Sequence, residues 1–411
     1  MFENQIGAII RLNRIQQNMS IRALAETVGI EYSQLSKIER GLEFSNKLTI
    51  ESIFDALDLN YQVTIDYIPI CAHKVKRLYH DMLYRKQKKI ITDQLNEINS
   101  EARTNGISTP VLLINLMHAV LYTETEFPYE SLLSILKKVE DSMSSFQKQL
   151  FYQYSGFYHY LKRDIEQALN YLEIAETLYT NDSSSAMIAY QKGIIYSYRG
   201  ETFEAYEHLN KAKYIFEQHH NYIRSIICSV SLANVFLLVE RFDKAMEMYQ
   251  ELLNIYDGLL MDIEDVSMIC SSMLLGALMV NDFNQFFKIE KKFDKEVIDH
   301  LNHNINYIFY RIIALYQTKQ YKECLLYIER FEAFNLNLPR NHLIEYYKLK
   351  INAASQKRLY GTLKLNLKTL DKRHDYNFVK LVLKLIIKEY EASKDYETLY
   401  QYAMKLSQLK W

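Results

Sequence analysis

Apolar residues recur at helical spacing from the start of the chain. Ile6, Ile9, Ile10 and Ile15 share a face with Asn13, which predicts a helix over residues 4–17 with Arg11 and Arg14 among them. Ser20 then precedes IRALAETV, where its oxygen can accept from the unpaired amides of a second helix; Ile21, Leu24, Ala25 and Val28 form that helix's buried stripe. Gly29 follows, where a tight turn can require positive φ. A third helix over residues 32–40 buries Leu35 and Ile38 and stops at Gly41, and a fourth over residues 48–59 turns Ile50, Ile53, Phe54 and Leu57 inward. The next stretch, YQVTIDYIP, alternates apolar and polar positions. It reads as an extended connector or one short strand, and a domain boundary is placed there, at 68/69.

The remainder repeats itself. The segments DIEQALNYLEIAETLY, TFEAYEHLNKAKYIF, RFDKAMEMYQELLNIY, DFNQFFKIEKKF, QYKECLLYIERF, LYGTLKLNLKTL and DYETLYQYAMKL align on one helix position. That position is held by Ala168, Ala205, Ala245, Phe286, Cys324, Leu363 and Leu399, in steps of 37, 40, 41, 38, 39 and 36 residues. Residues 110–138 supply one more helix pair in front. Seven or eight such pairs are expected to stack into a right-handed superhelix with a concave inner face. Only 10 glycines and 4 prolines stand in 411 residues, so little interrupts a helix, and the predicted fold is all-α. The division is residues 1–68, a basic linker helix over 69–95, and the array over 96–411.

Composition narrows the function. At 49% hydrophobic residues the chain can fill a core, and long disorder is excluded. Net charge is −1, but it is unevenly placed: residues 1–66 hold six basic against nine acidic side chains, and residues 67–95 hold seven against two. The basic stretch from His73 to Lys89 either lies along DNA or is a solvated helix joining two domains. Cys71, Cys228, Cys270 and Cys324 are far apart without a CxxC pair, which predicts buried thiols rather than zinc ligands or disulfides. The N-terminus reads as neither signal peptide nor anchor, and no stretch is apolar enough to span a bilayer, so a cytoplasmic location with no membrane partner is expected. A phosphate-cradling glycine loop, HExxH and a nucleophile elbow are all missing, so no enzyme and no cofactor are expected. His118, His159, His219 and His220 are scattered and read as packing or surface residues. Most of the 34 tyrosines are expected to be filler between helices.

The stretch ALAETVGIEYSQLSKIERG resembles the Xre, or Cro-like, helix-turn-helix over about residues 5–60, with Ala25, Gly29, Ile30, Leu35, Ile38, Glu39 and Gly41 in register. The resemblance implies a structural pair between Arg14 and Glu39 and a groove-reading face of Tyr32, Ser33, Ser36 and Lys37. Lys37 can donate to guanine or phosphate, Ser33 to base edge or backbone, and Tyr32 can meet a thymine methyl. Lys47 is a candidate phosphate contact. Two features depart from the pattern: Ile21 stands where many relatives carry a phosphate-binding glutamine, and Glu31 would repel a phosphate. The implied partner is double-stranded DNA, bound weakly by one copy, so a homodimer is expected.

Gly193, Tyr196, Ala205, Leu209 and Ala212 stand where the tetratricopeptide repeat has Gly, Tyr, Ala, Phe and Ala, and Gly156, Ala168, Leu172 and Ala175 repeat most of this earlier. A Cro-like domain joined to such an array is similar to the Rap, Rgg, NprR, PlcR and PrgX peptide-pheromone regulators. That resemblance implies a transcriptional regulator controlled by a short peptide on the concave face. Register counting puts Gln153, Tyr160, Tyr190, Asn234, Asn306, Tyr316 and Asn352 on that face. Asn234 is expected to pair with a peptide main chain, with Val230 and Leu237 reading its side chains; equally, Asn234 could satisfy a neighbouring helix. The alternatives are a phage or mobile-element repressor and a Rap-like scaffold, whose repeats bind a protein partner.

Overall fold

The computed structural model describes residues 6–43, 45–178, 182–256, 262–334, 341–353, 359, 362 and 376–408, and among these every regular element is a helix. The chain clusters into two compact units, Met1–Ile188 and Ala189–Trp411.

In the first unit, α1 (Ile6–Gln16), α2 (Ile21–Val28), α3 (Tyr32–Glu39) and α4 (Lys47–Ala56) enclose Ile9, Ile10, Leu24, Leu35, Ile38, Ile53, Phe54 and Leu57. Ser20 caps α2 as expected, its Oγ accepting from the Ala23 N–H at 3.1 Å, and Gly29 ends it with φ of 75°. The strand-like stretch YQVTIDYIP is instead the first part of α5 (Tyr61–Leu83). Asn60 caps that helix through the Val63 N–H at 3.0 Å, and Thr64, Tyr67, Cys71, Val75, Leu78 and Met82 form a buried stripe at three- and four-residue spacing. Pro69 lies on the exposed face and forfeits one backbone bond. The 68/69 boundary therefore falls inside a helix. A turn near Arg85 divides the basic stretch between α5 and α6 (Lys88–Asn105). Then follow α7 (Thr109–Leu121) and α8 (Tyr129–Lys138), the expected front pair, and α9 (Ser145–Leu161) with α10 (Ile165–Thr177).

The helix α11 (Asp182–Arg199) carries the chain into the second unit, followed by α12 (Thr202–Gln218), α13 (Tyr222–Leu238), α14 (Phe242–Tyr256), α15 (Ile263–Met279), α16 (Phe283–Glu290), α17 (Lys295–Leu301), α18 (Ile305–Gln317), α19 (Tyr321–Glu332), α20 (Asn341–Ile351), α21 (Tyr376–Ser393) and α22 (Tyr396–Ser407). The repeat register holds: Ala168, Ala205, Ala245, Phe286 and Cys324 are fully buried and Leu399 half-buried, while Leu363 lies outside the described residues. A Cβ on Gly193 would stand 2.7 Å from Leu209 Cγ, so the Gly–Leu pair of the signature records a close helix approach. The short helix α17, between α16 and α18, departs from the two-helix repeat.

The turns within pairs share a left-handed residue. Arg163, Gly200, Glu240, Asn281, Lys319 and Lys394 take φ of 59–78°, and Thr123 of the front pair takes 50°. In the first five the next N–H reaches back five residues, as from Arg241 to the Phe236 carbonyl and from Gln320 to the Leu315 carbonyl. Six of these seven left-handed residues are not glycine, and each accepts strain of order 1 kcal/mol. The four cysteines are free and buried, and burial pushes the Cys228 and Cys324 thiols up to about 12, which keeps them protonated and inert.

Candidate nucleic-acid interface and ligand surface

The surface of α3 is held from behind. Arg14 on α1 forks onto Glu39, with Nε donating to Oε1 at 2.6 Å and Nη2 to Oε2 at 2.8 Å, while Nη1 donates to the Met19 carbonyl at 2.8 Å. This locks α3 to α1 and to the chain entering α2. Leu35 and Ile38 point into the core beside the fork, which turns Tyr32 (52% exposed), Ser33 and Lys37 to the surface; Ser36 is half-buried. Lys37 lies 3.4 Å from Glu43, and Lys47 lies 3.5 Å from Glu51 and over the Tyr61 ring at 5.9 Å. Both cations are well exposed, so trading a carboxylate for a phosphate costs little. Glu31 stands at the N-cap of α3 without a side-chain cap bond.

One residue was not singled out by the sequence reading. Arg22, on the first turn of α2, sets its guanidinium 5.4 Å from the centre of the Tyr32 ring. The stack joins the N-termini of α2 and α3 on one exposed surface and puts a cation beside the empty glutamine position at Ile21. Its signal in the sequence is local: the arginine directly follows Ile21.

The seven residues chosen for ligand contact occupy several environments. In the first unit, Gln153 is buried and accepts from Gln149 Nε2 at 3.1 Å, and Tyr160 is half-buried with its ring 5.1 Å from Phe157. In the second, Tyr190 packs on Ala205, Leu209, Leu232 and Val235. Asn234 accepts from the Tyr249 hydroxyl at 2.6 Å and donates to Ser272 Oγ at 3.4 Å, tying α13 to α14 and α15. Its neighbours Val230 and Leu237 are core residues, not side-chain readers, because both are sealed between helices. Tyr316 is buried and stacked on Tyr347 at 4.0 Å. Asn306 is exposed in the first turn of α18, and Asn352 is exposed just past α20. Six of the seven thus stand in α9, α11, α13 and α18, and Asn352 stands outside a helix.

A cleft of about 660 Å³ lies elsewhere, between α12 and α14 over α13, lined by Tyr206, Asn210, Tyr222, Ser229, Phe236 and Met248 among others. None of the seven residues lines it. On its wall Lys213 meets Glu217 at 2.5 Å and the Ser225 hydroxyl donates to the same oxygen at 2.9 Å. Burial alone would raise the Glu217 carboxyl, but these two donors outweigh it and hold it below its ordinary value. Among the described residues no helix is long and apolar enough to cross a membrane.

Residues 10–61 match the helix-turn-helix family and residues 184–257 the tetratricopeptide repeat family. The regulatory protein RapD of Bacillus subtilis (strain 168) is 22% identical over 309 residues, which cover 72% of this chain and 76% of RapD. The crystal structure of a Rap protein complexed with competence and sporulation factor has the same fold, with a TM-score of 0.64 at 11% identity, over 83% of this chain and 98% of that one. NprR in complex with its cognate peptide NprX gives a TM-score of 0.56 at 16% identity, over 82% of this chain and 98% of that one.

Proposed function

Because this chain joins a Cro-like helix-turn-helix to tetratricopeptide-like repeats and so resembles the Rap and NprR type of regulator, we propose that it is a DNA-binding transcriptional regulator set by a short peptide bound to its repeats. The open face of α3 carries the reading: Tyr32, Ser33 and Lys37 are exposed, Arg22 flanks them, and the Arg14–Glu39 fork fixes the helix that presents them. Three side chains on one rigid surface can meet base edges, while Arg22 and Lys47 meet phosphate. In this reading residues 1–68 read DNA, 69–95 join the parts and 96–411 sense and dimerise, in a cytoplasmic, non-enzymatic homodimer. Two heads on half-sites one helical turn apart compensate for the acidic balance of each.

A genome-wide binding map with and without culture supernatant tests this, with Tyr32→Ala/Lys37→Ala as control. Discrete sites that move with supernatant and vanish in the variant support it; sites unchanged in the variant remove α3 from the interface. A second reading, a Rap-like protein that acts by holding a protein partner, is favoured by the RapD similarity and by Glu31 on the reading face. Selection from random duplexes that enriches no sequence would decide for it.

A further inference from the structure

The helix α21 does not merely continue the stack of pairs. Its lysines at positions 380, 384 and 388 lie one turn apart on one face and reach the turns of three earlier pairs. Lys380, only 1% exposed, donates from Nζ to the Leu238 carbonyl, the last of α13, at 2.8 Å, and meets Glu240 at 3.0 Å. Lys384 meets the same Glu240 oxygen at 2.8 Å and lies 5.4 Å over the Phe242 ring that opens α14. Lys388 lies 5.3 Å over Phe283, which opens α16, and donates to Gln317 Oε1 at the end of α18 at 3.3 Å. Between the lysines, Leu381, Val382, Leu383, Leu385 and Ile386 are buried in the core that holds Val230, Ala233 and Leu237. The next residue, Glu389, accepts from Tyr346 at 2.7 Å and Lys350 at 2.5 Å on α20.

The ladder meets the array where it is most receptive to cations. The turn's own N–H groups close the Val235, Phe236 and Leu237 carbonyls of α13 and Lys380 takes the Leu238 carbonyl, while the C-terminal ends of α13 and α18 carry the negative end of the helix dipole. Glu240 is itself the left-handed residue of its turn, so the clasp grips the hinge between two helices rather than a helix face. Hydrogen bonds from Lys384 and then Lys380 outweigh burial and hold the Glu240 carboxyl below its ordinary range. We propose that α21 is a lysine strap that fixes the spacing of the α13–α14, α15–α16 and α18–α19 turns, and that the curvature of this unit changes only when the strap loosens. This does not depend on the unit's ligand being a peptide, nor on DNA binding.

Hydrogen exchange on the full chain tests it, comparing wild type with Glu240→Gln/Lys384→Met/Lys388→Met. The amides of Arg241, Asp282 and Gln320, which close the three strapped turns, should exchange roughly three- to tenfold faster in the variant. The Glu201 amide closes the same kind of turn at Gly200 and makes no strap contact, so its rate should stay fixed. Salt at about 1 M, which weakens partly exposed ion pairs, should speed the Arg241 amide, whose turn is held by the Lys384–Glu240 pair, in wild type and not in the variant. Unchanged rates at the three turns overturn the strap, and so does equal acceleration at Glu201, which would mean general loosening. Should the triple variant fail to fold, Lys388→Met at an exposed position gives the same reading at Asp282 and Gln320.

Discussion

Replacing Arg14 by methionine isolates what the Arg14–Glu39 fork does. The change keeps most of the side-chain volume, removes three hydrogen bonds, and leaves a carboxylate whose side chain is 3% exposed without its cation. Glu39 then either stays charged in the interior or takes a proton. Protonation sets the ceiling: from an ordinary Glu value near 4.3 to pH 7, at 1.4 kcal/mol per pH unit, the cost is about 4 kcal/mol. That agrees with the 3–5 kcal/mol typical of breaking a buried pair. A carboxyl forced neutral has its folded value raised above the unfolded one, so its stability is present at low pH and lost as pH rises. The deficit of Arg14→Met should therefore shrink to about 1 kcal/mol at pH 5. Arg14→Met/Glu39→Leu, which removes both charges, should recover most of the loss at pH 7. The assay is native-state hydrogen exchange of α1 and α3 amides in the full chain at both pH values, corrected for intrinsic rates, because a chain of two compact units need not unfold in one step. A deficit below about 1 kcal/mol at pH 7, or a double variant no better than the single, would refute the argument.

On a selected operator, Lys37→Ala should cost roughly 1–3 kcal/mol and relax preference at one base pair, whereas Arg22→Ala should weaken all sequences alike and lower the salt slope by about 1; fluorescence anisotropy over a salt series separates the two. His118 is buried, and burial, only partly opposed by Glu124 at 3.0 Å, holds its imidazole below the ordinary value. The folded state thus resists the proton: stability is complete above about pH 6.5 and declines below it, by at most ~1.4 kcal/mol per pH unit. His118→Gln should flatten that decline in urea titrations between pH 5 and 7. Asn234→Ala strands the Tyr249 hydroxyl inside the core and should cost roughly 1–3 kcal/mol of stability; calorimetry that instead finds full stability and weaker peptide binding would return Asn234 to the ligand surface.

Local physics wrote the first sixty residues into the sequence: the Ser20 cap, the positive φ of Gly29 and the Leu35/Ile38 stripe each depend on neighbours within a few positions. The repeat register was legible for a related reason, since every pair must bury the same helix position, as Ala168, Ala205 and Ala245 do. Residues 61–69 were misread because their alternation fits a strand as well as the start of a helix; the choice fell to Tyr67 and Cys71, whose burial joins that stretch to the rest of α5. The sequence alone leaves Asn234 between two roles, because its partners are a tyrosine fifteen residues away and a serine thirty-eight away. The lysines of α21 look in sequence like a solvated face, four residues apart among apolar neighbours. Their role appears when folding brings helix ends 71 to 142 residues earlier against them, because a cation's worth depends on which polar groups surround it. Periodicity decides which residues form helices and which side is buried, while the partners of polar side chains are set by contacts that the order of residues along the chain does not encode locally.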